Sequence, residues 1–242
     1  KTVLIESIHI GDKTINFEYE ARLDKPMYNH ALTYTFPRKC GAILKKVRYS
    51  GYSNIVEESV LNYRYSNDNR MYLKAVSNTI EGKHAFEYYD GNVDPLTMNI
   101  DFWGYWRGKD NPIGSLIPEI SDAGGIYASQ YAEYGLDEVR QSTYNPAEAT
   151  LLKTITYPTG GKTLITYESH DYSSFFIKND STEFRRVLFD DDSNHPCGGA
   201  RIKNLSHFDS KGKLQSQTSY KYTKSDSDVL SSGILEYMPQ YH

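Results

Sequence analysis

Leu151-Leu152-Lys153-Thr154-Ile155-Thr156-Tyr157-Pro158-Thr159-Gly160-Gly161-Lys162-Thr163-Leu164-Ile165-Thr166-Tyr167-Glu168 is the stretch that decides the fold. It opens on a short apolar strand, Leu152 to Ile155, with a charge between its apolar ends. A proline and a glycine pair follow. It closes on Ile165 and Tyr167, a spacing that puts both side chains on one face of a strand. Thr166 between them turns the other way, toward water. Glycine supplies the positive φ that tight hairpin turns need. The stretch therefore reads as a β-hairpin that is apolar on one face.

Working outward, the same pattern recurs. Its strand openings are Ile5-Glu6-Ser7-Ile8, Leu44-Lys45-Lys46-Val47, Leu73-Lys74-Ala75-Val76 and Ile202-Lys203-Asn204-Leu205. Glycine follows each, at Gly11, Gly51, Gly82 and Gly212. Lys comes directly after the turn glycine at Lys83, Lys162 and Lys213. The closing pairs are Phe17 and Tyr19, Tyr63 and Tyr65, Phe86 and Tyr88, and Tyr220 and Tyr222. A lone hairpin is marginal in water, so the units must merge into a shared sheet. The predicted fold is all-β: a twisted antiparallel sheet of repeated hairpins in one β-repeat region, 1–242. The units fall near 3–19, 43–65, 72–89, 151–167 and 201–222. The rings of Tyr19, Tyr65, Tyr88, Tyr167 and Tyr222 are predicted to point inward and be largely buried.

Composition agrees. The 242 residues include 22 tyrosines, against 9 Phe and 2 Trp. Tyrosine favours strands and keeps a polar tip. The net charge of −4 is spread without a basic face, which argues against a nucleic-acid partner. No apolar run reaches the length of about 18 residues that suggests a membrane-spanning helix. The chain opens at Lys1 on the apolar run Thr2 to Ile5 and reads as cut from something longer. Cys40 and Cys197 are either two separate thiols or a bridge closing a long loop.

An irregular insertion, 90–150, separates the third and fourth units, and 180–199 is a second irregular span. Loops this long are normally functional or disordered. Asn145-Pro146-Ala147-Glu148 reads as a helix start, which predicts a short helix near Asn145–Thr150, with another over Tyr127–Arg140.

Leu151 to Glu168 resembles the signature unit of the RHS-type YD-repeat proteins of bacteria. Arg201 to Tyr222, with His207-Phe208-Asp209 before its turn, is similar. Trp103-Gly104-Tyr105 and Ser231 to Leu235 also resemble segments of large envelope proteins that carry such repeats. The resemblance covers roughly Ala42 to Tyr241. The literal Tyr-Asp pair stands only at Tyr89-Asp90, and as Phe-Asp at Phe208-Asp209. The family implies a long secreted or surface chain of the outer envelope whose repeats form non-catalytic scaffolds, some enclosing a C-terminal cargo domain. It implies no catalytic residue and no cofactor, and its partner is the rest of the same polypeptide.

The tempting motifs fail on spacing. Gly161-Lys162-Thr163 resembles the end of a phosphate loop, but Thr156 stands where that motif needs glycine, and a strand follows instead of a helix. Asp190, Asp192 and Asn194 match three calcium-loop positions, but His195 and Arg201 replace the required Gly and Glu. His195-Pro196-Cys197 lacks further zinc ligands, so no metal is expected. His170-Asp171 and His207/Asp209 have no nucleophile elbow to serve. Glu57 and Glu58 are strand neighbours that face apart.

One segment stands apart. Phe102, Trp103, Tyr105 and Trp106 precede Arg107 and Lys109 within 102–109. Trp103, Tyr105, Trp106 and Arg107 are the candidate binding residues, since aromatic faces with nearby donors suit a glycan or a surface protein. The competing reading is a plug in the sheet core. The expectation is therefore a structural scaffold segment without enzymatic activity, with a binding module using this segment as the alternative.

Overall fold

The structure is a computed structural model that describes residues 4–23, 42–51, 56–67, 70–89, 91, 93, 97, 99–101, 103–108, 149–178 and 186–236. The strands are β1 (Ser7–Ile10), β2 (Lys13–Ala21), β3 (Ala42–Ser50), β4 (Val56–Tyr65), β5 (Met71–Asn78), β6 (Gly82–Tyr88), β7 (Leu152–Thr156), β8 (Lys162–Lys178), β9 (Arg186–Phe208), β10 (Leu214–Ser219) and β11 (Ile234–Leu235). From β1 to β10 they hydrogen-bond in chain order, and each neighbouring pair from β1 to β8 is antiparallel. The two-residue β11 departs from the expected pattern and lies parallel to β8. No helix occurs among the described residues; the two expected helices fall on 109–148, outside them, and Ala149-Thr150 is a turn.

The chain divides into two compact units. The first holds Lys1–Leu96, Thr150–Leu164 and Ser206–Gln217; the second holds Thr97–Ala149, Ile165–Leu205 and Thr218–His242.

In the first unit the glycine turns fall where the sequence places them. Gly11, at φ +61°, sits with Asp12 in a two-residue turn between Ile10 and Lys13. Asn78 Oδ1 accepts the backbone N–H groups of Ile80 and Glu81, both at 2.8 Å, and so shapes the turn that ends at Gly82, φ +90°. Tyr157–Gly161 and Asp209–Lys213 form the same turn. In each, the first N–H donates to the fifth carbonyl, and the glycine N–H donates back to the first carbonyl. Neighbouring turns lie flank to flank. A Cβ on Gly82 would come within 2.9 Å of Pro158 Cβ, and one on Gly160 within 3.0 Å of Ser210 Cβ. The supposed phosphate loop, Gly161-Lys162-Thr163, is a hairpin turn running into β8.

Between units one rule repeats three times. Phe17 and Tyr19 face Val47 and Leu44; Leu61 and Tyr63 face Val76 and Leu73; Phe86 and Tyr88 face Ile155 and Leu152. The register slips by one residue before each tyrosine. The residues left without a partner are Lys45, Lys74 and Lys153, the charged positions common to the strand openings. A β-bulge turns one extra residue out of the ladder, and an exposed lysine suits that place. The closing pair of the hairpin 43–65 is therefore Leu61 and Tyr63, which corrects the reading of Tyr63 and Tyr65. Tyr-Arg-Tyr looks like a closing pair in sequence, but the bulge sets the register.

Each closing tyrosine also reaches back within its own unit. The hydroxyls of Tyr19, Tyr63 and Tyr88 donate to the carbonyls of Ile5, Leu44 and Leu73 at 3.0, 2.8 and 2.9 Å. Tyr222, in the second compact unit, donates to the Ile202 carbonyl at 2.7 Å. Every acceptor is the residue that starts its four-residue strand opening. We call this bond the tyrosine clasp. Burial lifts the phenol pKa of Tyr63 and of Tyr88, so both hydroxyls keep the proton they donate.

The inward prediction for the tyrosines holds, and the clasp goes with burial that stops short of complete. Tyr19, Tyr65, Tyr88, Tyr167 and Tyr222 are all half-buried, none fully. The one buried ring among the described residues is Tyr72, tilted against Tyr88 with ring centres 4.8 Å apart and covered by the Arg64 guanidinium at 4.5 Å. The remaining buried apolar residues among those described in the first unit are Ile43, Ala75 and Val93.

Candidate functional site

The second unit gathers the polar groups. Within it β8 and β9 run alongside, and Asn204 Nδ2 donates to Thr166 Oγ1 at 3.0 Å. Arg201 on β9 stands at the centre. Its Nε donates to Glu168 Oε1 at 2.8 Å, and its Nη2 lies 2.9 Å from Asp171 Oδ1. The guanidinium also lies 4.3 Å from the centre of the Tyr222 ring. Arg201 is 16% exposed, Asp171 15% and Glu168 30%, so solvent screens the network only in part. Sequence reading paired Asp171 with His170; the structure gives Asp171 to Arg201.

His170 is half-buried, and its pKa is lowered, first by burial and then by the charge of Arg201. The folded state thus holds the imidazole neutral more firmly than the unfolded chain does. The stability this gives is complete above the unfolded value, about pH 6.5, and is lost as pH falls. The melting temperature should accordingly drop more between pH 7.5 and pH 5.5 in the native protein than in His170→Gln. An equal drop in both would remove His170 from the acid response.

The aromatic segment folds as a small loop on β9. Ile100 bridges Trp106, and Asp101 Oδ1 accepts the N–H groups of Trp103 and Tyr105 at 3.0 and 2.9 Å. Asp101 is 2% exposed and Arg107 5%. Burial pushes the Arg107 guanidinium pKa down, and the charge of Asp101 opposes that shift. Gly104 turns the loop at φ +88°. Trp103 and Tyr105 press on the glycine pair of β9: a Cβ on Gly198 would lie 2.6 Å from Trp103 Cβ, and one on Gly199 3.1 Å from the Tyr105 ring. Of the four candidate binding residues, Arg107 is buried, Trp103 and Trp106 are half-buried, and Tyr105 is 53% exposed. Phe102 and Lys109 lie outside the described residues. The plug reading fits three of the four; only Tyr105 offers an open face.

The other candidates separate. His195 Nε2 lies 2.7 Å from Asp191 Oδ2, and its ring stacks on Tyr172. That bond holds Asp191 below the usual carboxylate range. Asp190 accepts from Lys224 and Ser174, and Asn194 donates to the Val229 carbonyl and accepts the Ser231 N–H, so together with Asp191 these three side chains already have protein partners. Cys197 carries a free thiol whose pKa is raised, chiefly by burial; Cys40 lies outside the described residues. Burial works against the thiolate, the reactive form. In the first unit, His207 Nδ1 bonds Thr163 Oγ1, while Asp209 shapes its own turn through the N–H groups of Lys211 and Lys213. Glu57 accepts from Asn78 and Glu58 pairs with Lys46. No three His, Cys, Asp or Glu side chains among the described residues are grouped to hold a metal ion.

The chain matches no family model, no curated protein and no solved structure. What its residues do must therefore be argued from the geometry alone.

Sequence reading missed three features. Arg201 drew attention only as a failed calcium position, because its partners are 33 and 30 residues away on β8. The fully buried Ser173 donates to the Ser231 carbonyl, and nothing in either residue type announces that bond. Gly198-Gly199 did carry a signal, since glycine inside a strand often marks close approach by other groups.

Proposed function

We propose that this chain is a non-catalytic structural segment, a side-by-side array of hairpins belonging to a larger secreted or surface scaffold of the YD-repeat kind. The observation that supports this reading most is the repeated junction of bulged lysine, facing tyrosine and clasped carbonyl. The side chains that recur from unit to unit serve the backbone of the sheet. Screening the purified protein against esterase, peptidase and glycosidase substrates should give no turnover above background. Turnover that disappears in His195→Ala or Cys197→Ala would overturn the proposal.

A second reading rests on Tyr105. Its ring is open to solvent while its backbone is fixed by Asp101, and its other face rests on Gly199. A preorganised aromatic face suits a sugar ring or a partner's apolar anchor. On a glycan or surface-protein array, loss of a signal in Tyr105→Ala with unchanged thermal stability would favour this binding role.

A further inference from the structure

Among the described residues β1 is an edge strand, with β2 as its one partner in the strand order. Its unit differs from the others in one respect. The paired apolar positions Leu44 and Val47, Leu73 and Val76, Leu152 and Ile155, and Ile202 and Leu205 are all half-buried. Ile5 and Ile8, which occupy those positions in the first hairpin, are 56% and 39% exposed. Leu4 and Ile10 beside them are also exposed. At the β2–β3, β4–β5 and β6–β7 junctions, the preceding hairpin's closing strand faces these positions, with its tyrosine opposite the first residue.

The backbone points the same way. The Phe17 N–H bonds inward to the Glu6 carbonyl, so by antiparallel alternation Ser7 and His9 turn their N–H and C=O groups toward the open edge. Neither proline nor lysine guards Ser7–Ile10, although natural edge strands commonly carry such residues.

Resting on the scaffold reading, we infer that β1 is the docking edge for the closing strand of a further hairpin unit, an apolar-x-Tyr strand whose tyrosine lies opposite Ile5 and whose apolar residue lies opposite Ile8. Glu6, in the place of Lys45, Lys74 and Lys153, becomes the bulged residue of that junction. A second copy of the chain does not supply this strand. Its outer closing strand, β10, leads to Tyr222, whose carbonyl is already held by the N–H and the hydroxyl of Ser232.

The test fuses a copy of the Leu151–Glu168 hairpin ahead of Lys1 through a flexible Gly/Ser linker. A control fusion carries Ser at the copied positions of Ile165 and Tyr167. Amide exchange at Ser7 and His9 should slow at least about ten-fold in the fusion and stay fast in the control, as a tether at millimolar effective concentration allows. Ile8→Lys in the host should abolish the slowing. Unchanged exchange at Ser7 and His9, or equal slowing by the control, would overturn the inference. So would slowing in the unfused protein that grows with its concentration, because a second copy would then be the occupant. If clasp substitutions destabilise the protein while these amides stay fast, the scaffold reading stands and this inference alone falls.

Discussion

Replacing Tyr19, Tyr63 and Tyr88 together by Phe is expected to lower the unfolding free energy of the first unit by about 3 kcal/mol, roughly 1 kcal/mol per clasp. Each substitution keeps the ring and removes only the hydroxyl, so packing against neighbours is preserved. What is lost is the partner of a strand carbonyl. Leu44 and Leu73 accept these bonds beside the bulges, where the ladder is already interrupted, and Ile5 accepts its bond just ahead of β1. The three sites lie on different hairpins, so their effects should add closely. Urea unfolding of the single, double and triple variants measures this. Tyr49→Phe serves as control, because Tyr49 supplies no clasp; its change should stay within about 0.5 kcal/mol. A triple variant indistinguishable from that control would mean that the hydroxyls do not hold the hairpins.

The second large effect belongs to Arg201. Arg201→Met should destabilise the second unit by about 2–4 kcal/mol, because it leaves Glu168 and Asp171 as adjacent, partly desolvated charges. It also removes the cation from the Tyr222 ring, worth roughly 0.5–2 kcal/mol at a partly buried site. Arg201→Lys should recover only part of this, since an ammonium cannot present the fork that reaches both carboxylates. Adding Glu168→Gln and Asp171→Asn to Arg201→Met should restore much of the loss. If the triple variant is no better than Arg201→Met alone, the network acts through packing and not through charge.

The hairpins were legible because their signals are local. A glycine turn and an i, i+2 pair can be read within about twenty residues, as in Leu151 to Glu168. The lysine inside each strand opening was visible too, but its role was not. Lys45, Lys74 and Lys153 are bulge residues only in relation to the strand alongside, and a sequence does not print its register. The misreading at Tyr65 arose there: Leu61 is as apolar as Phe17 or Phe86, but a neighbouring aromatic pair outweighed it. The clasp was hidden for another reason: ring spacing argues for burial, and nothing in the residue type says which carbonyl a phenol will reach. The candidate site was legible as an aromatic cluster around Trp103 to Arg107. Its seat on Gly198-Gly199 lies more than ninety residues away in the chain, beyond the reach of any local pattern.

The bulge register is the centre of the account, and cross-strand proton contacts in solution measure it most directly. Nuclear Overhauser effects should connect the backbones of Tyr19 and Leu44, Tyr63 and Leu73, and Tyr88 and Leu152, with Lys45, Lys74 and Lys153 lacking a cross-strand partner. Contacts that place Tyr65 opposite Leu73, or unbroken ladders through the three lysines, would contradict it.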